Sequence, residues 1–402
     1  LKAEQKRVQP PSSADQFHLQ QTRQRILKQF STELAAFFAH LGYEMVETPF
    51  IQDAELFLTK AGDQIINRLF TFERNGRNVA LRPEFTVSAA SLYNMQHPMG
   101  DQVVRWQFHG AVFEDDPEAP HQIQRFTIGV ELIGQRGVDA DAEIIALSAR
   151  GLDEIGVRNW RVQLGHIGLM RALLKQFNLD SLTERVLLTQ LPALHNPDQG
   201  KAYVLSMLDQ GLLSASPTDE PDHAFTDDMT TQNTQYVLDV LLDATQRGVT
   251  MGGRSRHDIV ERLLRKRQRA TERPQIAAAL DLLTDLSAID AAPPAAIREL
   301  SSFIPSSMPG ARTLVQEWSA MIDLLLETHL IPETQLRLVP GLLRNWDYYT
   351  GMIFDIRDKQ GLLLGGGGRY DELTRLVGGD QEVPAVGFAY YADTLAQHLD
   401  NQ

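Results

Sequence analysis

Four separated segments of this chain concentrate carboxylates, guanidinium groups and phenols. The first is Leu81-Arg82-Pro83-Glu84-Phe85-Thr86, and the second is Arg105–Phe113 followed by Arg125-Phe126-Thr127-Ile128-Gly129-Val130-Glu131. The third runs from Gly341 through Arg344-Asn345-Trp346-Asp347-Tyr348-Tyr349 to Gly351, and the fourth is Gly367-Gly368-Arg369-Tyr370-Asp371 with Pro384–Ala389. Brought together, these groups could bind a small zwitterion. A free amino acid needs an anion for its ammonium, a cation for its carboxylate and polar groups matched to its side chain, and charge-assisted hydrogen bonds are the strongest of these contacts. Singly, each residue has a plainer role: Glu84 or Glu131 as an ion-pair partner of Arg82 or Arg125, and Tyr348 or Tyr349 as core. Other chemistries lack their motifs. No Gly-Lys-Ser/Thr follows Gly365-Gly366-Gly367-Gly368, so this run reads as a strand without side chains that another group approaches closely, not as a phosphate loop. His-Glu-x-x-His and Gly-x-Ser-x-Gly are absent, and His109 and His121 near acidic residues do not make a metal site.

The elements that must position these segments read as an α+β domain interrupted by helices. Phe17, Leu19, Ile26, Leu27, Phe30, Leu34, Phe37 and Phe38 recur at helical spacing from Asp15 on, with Gly42 as the stop. Strands are expected at Tyr43–Pro49, Asn78–Leu81, Val103–Glu114, Arg125–Ile133 and Arg161–Leu164. Helices are expected at Thr86–Met95, Ala140–Glu154 and Gly168–Phe177. From about Leu179 the pattern is nearly all helical, apart from the turn-rich Ser214–Asn233. Strand character returns at Leu336–Pro340, Met352–Arg357 and Leu362–Gly365, after a helix at Thr313–Thr328. The expected organisation is a tail (1–14), a discontinuous core (15–178 and 313–402) and a helical insertion (179–312).

The 402 residues carry a formal charge of −14, which argues against a general nucleic-acid binder because phosphate affinity rests on Lys and Arg. With no cysteine there is no disulfide scaffold, thiolate metal site or cysteine nucleophile. No apolar run approaches a membrane span, and the expected location is cytoplasmic. The segment Arg254–Arg273 holds eight cationic residues against three carboxylates and reads as a solvated helix face or an anion or partner surface.

In this order the four segments resemble the catalytic core of histidyl-tRNA synthetase, a class II enzyme. Asp347-Tyr348-Tyr349-Thr350-Gly351 and Gly367-Gly368-Arg369-Tyr370-Asp371 are the most specific strings. Tyr43–Pro49 resembles the first class motif. The implied fold is a class II synthetase-like antiparallel sheet flanked by helices, forming a self-dimer through that motif. The resemblance also implies histidine-binding roles. Glu84 and Thr86 hold the α-amino group, with Thr127 where a synthetase glutamine assists, and Arg125 lies in the same segment. Arg344 takes the carboxylate, Glu131 and Tyr349 address the imidazole nitrogens, and Tyr348 and Tyr370 line the pocket.

Two positions depart from the synthetase pattern. Where the second class motif places an arginine on the α-phosphate, Phe113 is followed by Glu114-Asp115-Asp116, and where the third places an arginine on the nucleotide stands Thr394. Two unit charges about 4 Å apart interact by roughly 4 kcal/mol at an effective dielectric of 20, so an Arg-to-Glu exchange disfavours ATP there. Seven residues follow Leu395, where the synthetase continues into an anticodon-binding domain. The pattern resembles the regulatory-subunit family of ATP phosphoribosyltransferase. That resemblance implies a chain that performs no chemistry, uses no cofactor, binds no tRNA or membrane, and takes L-histidine as allosteric ligand. Its partner would be the short-form catalytic subunit, in a hetero-octamer. The alternatives are a truncated histidine-activating synthetase and a stand-alone histidine-binding module.

Overall fold

A computed structural model describes residues 13–58, 63–117, 119, 122–195, 200–210, 273–344 and 346–400. His121, the turn-rich Ser214–Asn233 and all of the basic segment except Arg273 lie outside these residues. The chain divides into one compact unit of residues 1–169 and 288–402 and a second, Met170–Ser287. Residues 288–312, assigned to the insertion from sequence, group with the first unit.

The first unit holds eleven described strands: β1 Glu44–Met45, β2 Ile51–Asp53, β3 Thr71–Arg74, β4 Arg77–Leu81, β5 Val104–Phe113, β6 Gln124–Ile133, β7 Arg161–His166, β8 Leu336–Leu338, β9 Met352–Arg357, β10 Leu363–Arg369 and β11 Ala385–Tyr391. Eight form one sheet in the order β1-β5-β6-β11-β10-β9-β7-β8, and β2-β4-β3 form a small second sheet. The large sheet, flanked by helices, bears out the expected class II synthetase-like fold, with parallel pairings added at its edges. Its central pairings are antiparallel, but β1 runs parallel to β5 and β8 parallel to β7 at the two edges. The expected strand Tyr43–Pro49 shrinks to two residues. Thr48 leaves the ladder and accepts two hydrogen bonds from Arg82 Nη1, on its carbonyl at 2.7 Å and its hydroxyl at 2.8 Å.

Strand alternation gives the sheet two unlike faces. On one, Phe388 packs edge-on against Phe38 of the helix Ser13–His40, and the Tyr390 hydroxyl bonds Ser148 O of the helix Val138–Glu154. This is the apolar core, with Ile128, Val130, Leu132, Phe354 and Ile356 buried along it. Gly42, at φ 85°, ends the first helix as its position suggested. The helix expected at Thr313–Thr328 is Pro309–Asp323, closed by a π-helical turn over Leu324–Thr328.

The opposite face is paved with small residues. One rung runs Trp106–Glu131–Gly387–Gly368–Ile353, and the next Phe108–Gly129–Ala389–Gly366–Asp355–Gln163. Beyond them lie Gly110–Thr127–Tyr391 and then Val112–Arg125. The glycine run is thus β10 itself, a strand whose missing side chains leave room for groups laid on it.

The second unit contains, among its described residues, only helices and turns. Ser181–Thr189 is capped by Asp180, whose carboxylate accepts from the Thr183 N–H at 2.9 Å and its hydroxyl at 2.7 Å. Lys201 of Gly200–Gln210 pairs with Asp281 on a helix over 273–287. No helix among the described residues is long and apolar enough to cross a membrane.

Candidate functional site

The glycine floor lets large polar groups lie flat on the sheet. At the Gly387–Gly368 rung, a Cβ on Gly387 would overlap Glu131 Oε2, and one on Gly368 would meet Tyr349 Cδ1 at 2.9 Å. At the next rung a Cβ on Gly366 would overlap Arg344 Nη1. An acidic pole and a basic pole therefore sit one rung apart, about 7 Å along the strands, a spacing suited to a small amino acid.

Glu131 is 1% exposed. Its Oε1 accepts from the Thr86 hydroxyl at 2.7 Å and its Oε2 from the Tyr370 hydroxyl. Burial pushes its carboxyl up to about 8, with the Glu84 charge adding to the rise and the two hydroxyl donors opposing it. Glu84 sits at the N-terminus of the helix Thr86–Gln96 and accepts from the N–H groups of Thr86 and Val87, both at 2.6 Å. These otherwise orphaned donors favour its ionised form, yet burial prevails and holds it at about 7. Carboxyl groups raised in this way by burial are common at functional sites.

Tyr348, Tyr349 and Tyr370 wall this pole. Tyr348 stands 4.7 Å from Tyr349 and meets Tyr370 edge-on at 5.8 Å, centroid to centroid. Burial pushes Tyr349 up to about 12 and Tyr348 and Tyr370 further, so all three are neutral hydroxyls. The segment carrying Tyr348 and Tyr349 is tied to that carrying Tyr370. The Thr350 N–H donates to Arg369 O at 2.8 Å, and the Asp371 N–H donates to the Thr350 hydroxyl at 3.0 Å. Arg369 in turn pairs with Asp141, at 2.6 Å, and with Asp371 at 3.0 Å.

Arg344 is the basic pole. Its Nη1 donates to Asp355 Oδ1 and to Phe354 O, and its Nη2 donates to the Tyr391 hydroxyl at 2.9 Å. Burial opposes its charge, but the surrounding Tyr391, Tyr349 and Asp355 outweigh it, and the group stays protonated. Asp355 is shared, because Arg357 Nη2 also reaches it at 2.7 Å. Two guanidinium groups facing one carboxylate leave a net positive charge on this rung.

The structure thus gathers Glu84, Thr86, Glu131, Arg344, Tyr348, Tyr349 and Tyr370 into one cluster on this sheet face. Thr127 lies on the same sheet face, buried, with no hydrogen-bond partner for its hydroxyl among the described residues. Arg125 does not join the pocket's contacts. Its Nη1 lies 3.5 Å from Glu114 and its Nη2 3.3 Å from Asp116, and Arg68 reaches the same two carboxylates at 3.1 and 3.3 Å. Nor is Arg125 the partner of Glu131, or Arg82 held by a carboxylate salt bridge. Arg82 bonds Thr48 and Ala111 O, and its guanidinium lies 3.7 Å over the Phe85 ring. Thr394 is half-buried beside Asp393, which accepts from the Phe126 N–H at 2.7 Å and pairs with Arg23. Sequence reasoning missed Asp355, Tyr391 and the role of Gly387. For Tyr391 and Gly387 the available signal was the alternation of β11, which puts both on the face of Ala389.

A mixed sheet with this floor and these poles is the fold of class II aminoacyl-tRNA synthetases. The model of the histidyl-tRNA synthetase family matches residues 17–201 and 237–395, and the chain belongs to that family. The histidine–tRNA ligase of Methanocaldococcus jannaschii is 27% identical over 376 residues, covering 92% of this chain and 71% of the ligase. That of Sulfurisphaera tokodaii is 28% identical over 366 residues, covering 89% and 68%. Among solved structures, an ATP phosphoribosyltransferase regulatory subunit/histidyl-tRNA synthetase from Bacillus halodurans C superposes with a TM-score of 0.63 at 21% identity, covering 95% of this chain and 80% of that one. A histidine–tRNA ligase subunit from Alicyclobacillus acidocaldarius gives 0.60 at 21%, covering 94% of each.

These relatives overturn the expectation that the chain performs no chemistry. Proteins 24–28% identical over most of its length are ligases, which points to an enzyme. The electrostatic premise fails with it. Glu114 and Asp116 do not stand bare toward an incoming anion, since Arg68 and Arg125 neutralise them, and the exchange of one arginine for Glu114 overstates the repulsion.

Proposed function

We propose that the chain binds free L-histidine between Glu84, Glu131 and Arg344, and that its occupancy regulates a short-form ATP phosphoribosyltransferase catalytic chain at the first step of histidine biosynthesis. The observation that carries the binding half is the pairing of a buried carboxyl at Glu131 with a cationic rung at Arg344 across a glycine floor. Glu84 and Thr86 take the ammonium, Arg344 the carboxylate, and Glu131 with Tyr349 the imidazole nitrogens. An apolar side chain of similar size would offer Glu131 no donor beyond the Thr86 and Tyr370 hydroxyls it already has, whereas an imidazole N–H would add one, and sites built to hydrogen-bond their ligand discriminate strongly. The regulatory half is supported by the likeness to the Bacillus halodurans regulatory subunit/histidyl-tRNA synthetase. Such a partner works by binding histidine differently in two global states. A coupling of about 1–3 kcal/mol corresponds to about 5- to 150-fold in affinity.

A second reading keeps the chemistry of the ligase relatives. The chain would activate histidine with ATP, and Arg68 and Arg125 would meet the phosphates after releasing their carboxylates. Two assays separate the readings. Mixing the chain with a short-form catalytic subunit should raise turnover, and histidine should reverse the gain in proportion to occupancy. Unchanged turnover refutes the regulatory reading. Histidine-dependent exchange of pyrophosphate into ATP by the chain alone supports the second.

A further inference from the structure

Arg344 is held from two sides by chemically different groups. On β9, Asp355 accepts from Nη1 and is itself shared with Arg357. On β11, the Tyr391 hydroxyl accepts from Nη2 at 2.9 Å. A phenol that accepts a hydrogen bond still owns a hydrogen to donate, and among the described residues the Tyr391 hydroxyl has no acceptor for it. Tyr391 is only partly buried, on the same sheet face as Glu131 and Ala389 and one rung beyond Arg344's floor position. It fixes the guanidinium without neutralising it, which a carboxylate at this position would do.

We infer that Tyr391 completes the ligand-carboxylate site: its hydroxyl orients Arg344 and donates its own hydrogen to the same carboxylate. The inference rests on the histidine-pocket reading and deepens it by naming a residue that distinguishes an amino acid from the corresponding amine. The balance of charge agrees. Arg344 and Arg357 share Asp355, so one positive charge remains for the incoming carboxylate, and a neutral donor beside it adds a hydrogen bond without repulsion.

The test compares L-histidine with histamine, which keeps the imidazole and the ammonium and lacks the carboxylate. Both are titrated calorimetrically into the full chain and into Tyr391→Phe, whose thermal unfolding is recorded in parallel. Tyr391→Phe should weaken L-histidine by about tenfold or more, as expected for a lost hydrogen bond to a charged group, and histamine by less than about twofold. Arg344→Lys serves as the companion variant, since it removes the two-sided guanidinium geometry while keeping the charge, and should show the same selectivity of loss. Equal losses for both ligands, or unchanged L-histidine affinity in a folded Tyr391→Phe, overturn the inference while leaving the pocket in place. Absence of L-histidine binding to the unaltered chain overturns the pocket reading itself, and this inference with it.

Discussion

Glu131→Gln removes an ionisable group from the pocket while keeping its shape and its hydroxyl partners. Burial raises the native carboxyl from its ordinary 4.5 to about 8, so between those values the folded chain binds a proton that the unfolded chain has lost. The native state then holds more protons than the unfolded one, and stability falls as pH rises through this window. At 1.36 kcal/mol per unit, the full span is worth about 5 kcal/mol, and the part between pH 6 and pH 8 about 2 kcal/mol. Unfolding free energies from denaturant curves of the ligand-free chain, measured at both pH values, should therefore fall by about 2 kcal/mol more than those of Glu131→Gln. Parallel pH dependence in the two would refute the argument, because it would mean that Glu131 is ionised at pH 6 in the folded chain.

The same carboxyls give a binding prediction. Glu84 must be ionised to take the ligand's ammonium and Glu131 to accept from its imidazole N–H, so histidine affinity should rise from pH 6 to pH 8, and calorimetry in buffers of different ionisation heat should detect net proton release near pH 7. Gly387→Ala should abolish histidine binding, since its Cβ would overlap Glu131 and stand 2.6 Å from Val130 O, a backbone atom that cannot yield; retained affinity would mean that Glu131 lies elsewhere. Asp141→Asn loosens the Arg369 tether beneath Thr350 and should weaken histidine by several-fold while lowering stability by about 1–3 kcal/mol, read from titration and denaturant curves. A double-mutant cycle on Arg68→Ala and Glu114→Ala should give a coupling of about 0.2–1 kcal/mol, because both side chains are partly exposed; additive single effects would show that Glu114 is not held by this pair.

Much of the scaffold was legible because alternation and helical spacing are local signals. β9 has the expected limits, and β5 and β6 fall within one residue of theirs. What failed was set by distant partners. Nothing in Tyr43–Pro49 reveals that Thr48 is drawn out of the ladder by Arg82, and β2 and β3, with Ile51 and Phe72 half exposed, have no buried face to announce them. In the sequence β11 reads as a motif and not as a strand, since Gly387 weakens the pattern it belongs to. Within the site, the residues named by resemblance converge except Arg125 and Thr127, the latter on the same sheet face with no hydrogen bond from its hydroxyl to the cluster among the described residues. The Arg125 charge is drawn to Glu114 and Asp116 at the far end of the same sheet face, a pairing invisible along the chain. Asp355 and Tyr391 escaped notice because their roles exist only across strands.

The most direct measurement is a calorimetric titration of L-histidine into the unaltered chain, Arg344→Ala and Glu131→Ala. One saturable site per chain, weakened by at least about tenfold in each variant (about 1.4 kcal/mol), is the expected result. Histidine bound with undiminished affinity by both variants would place the ligand outside this pocket.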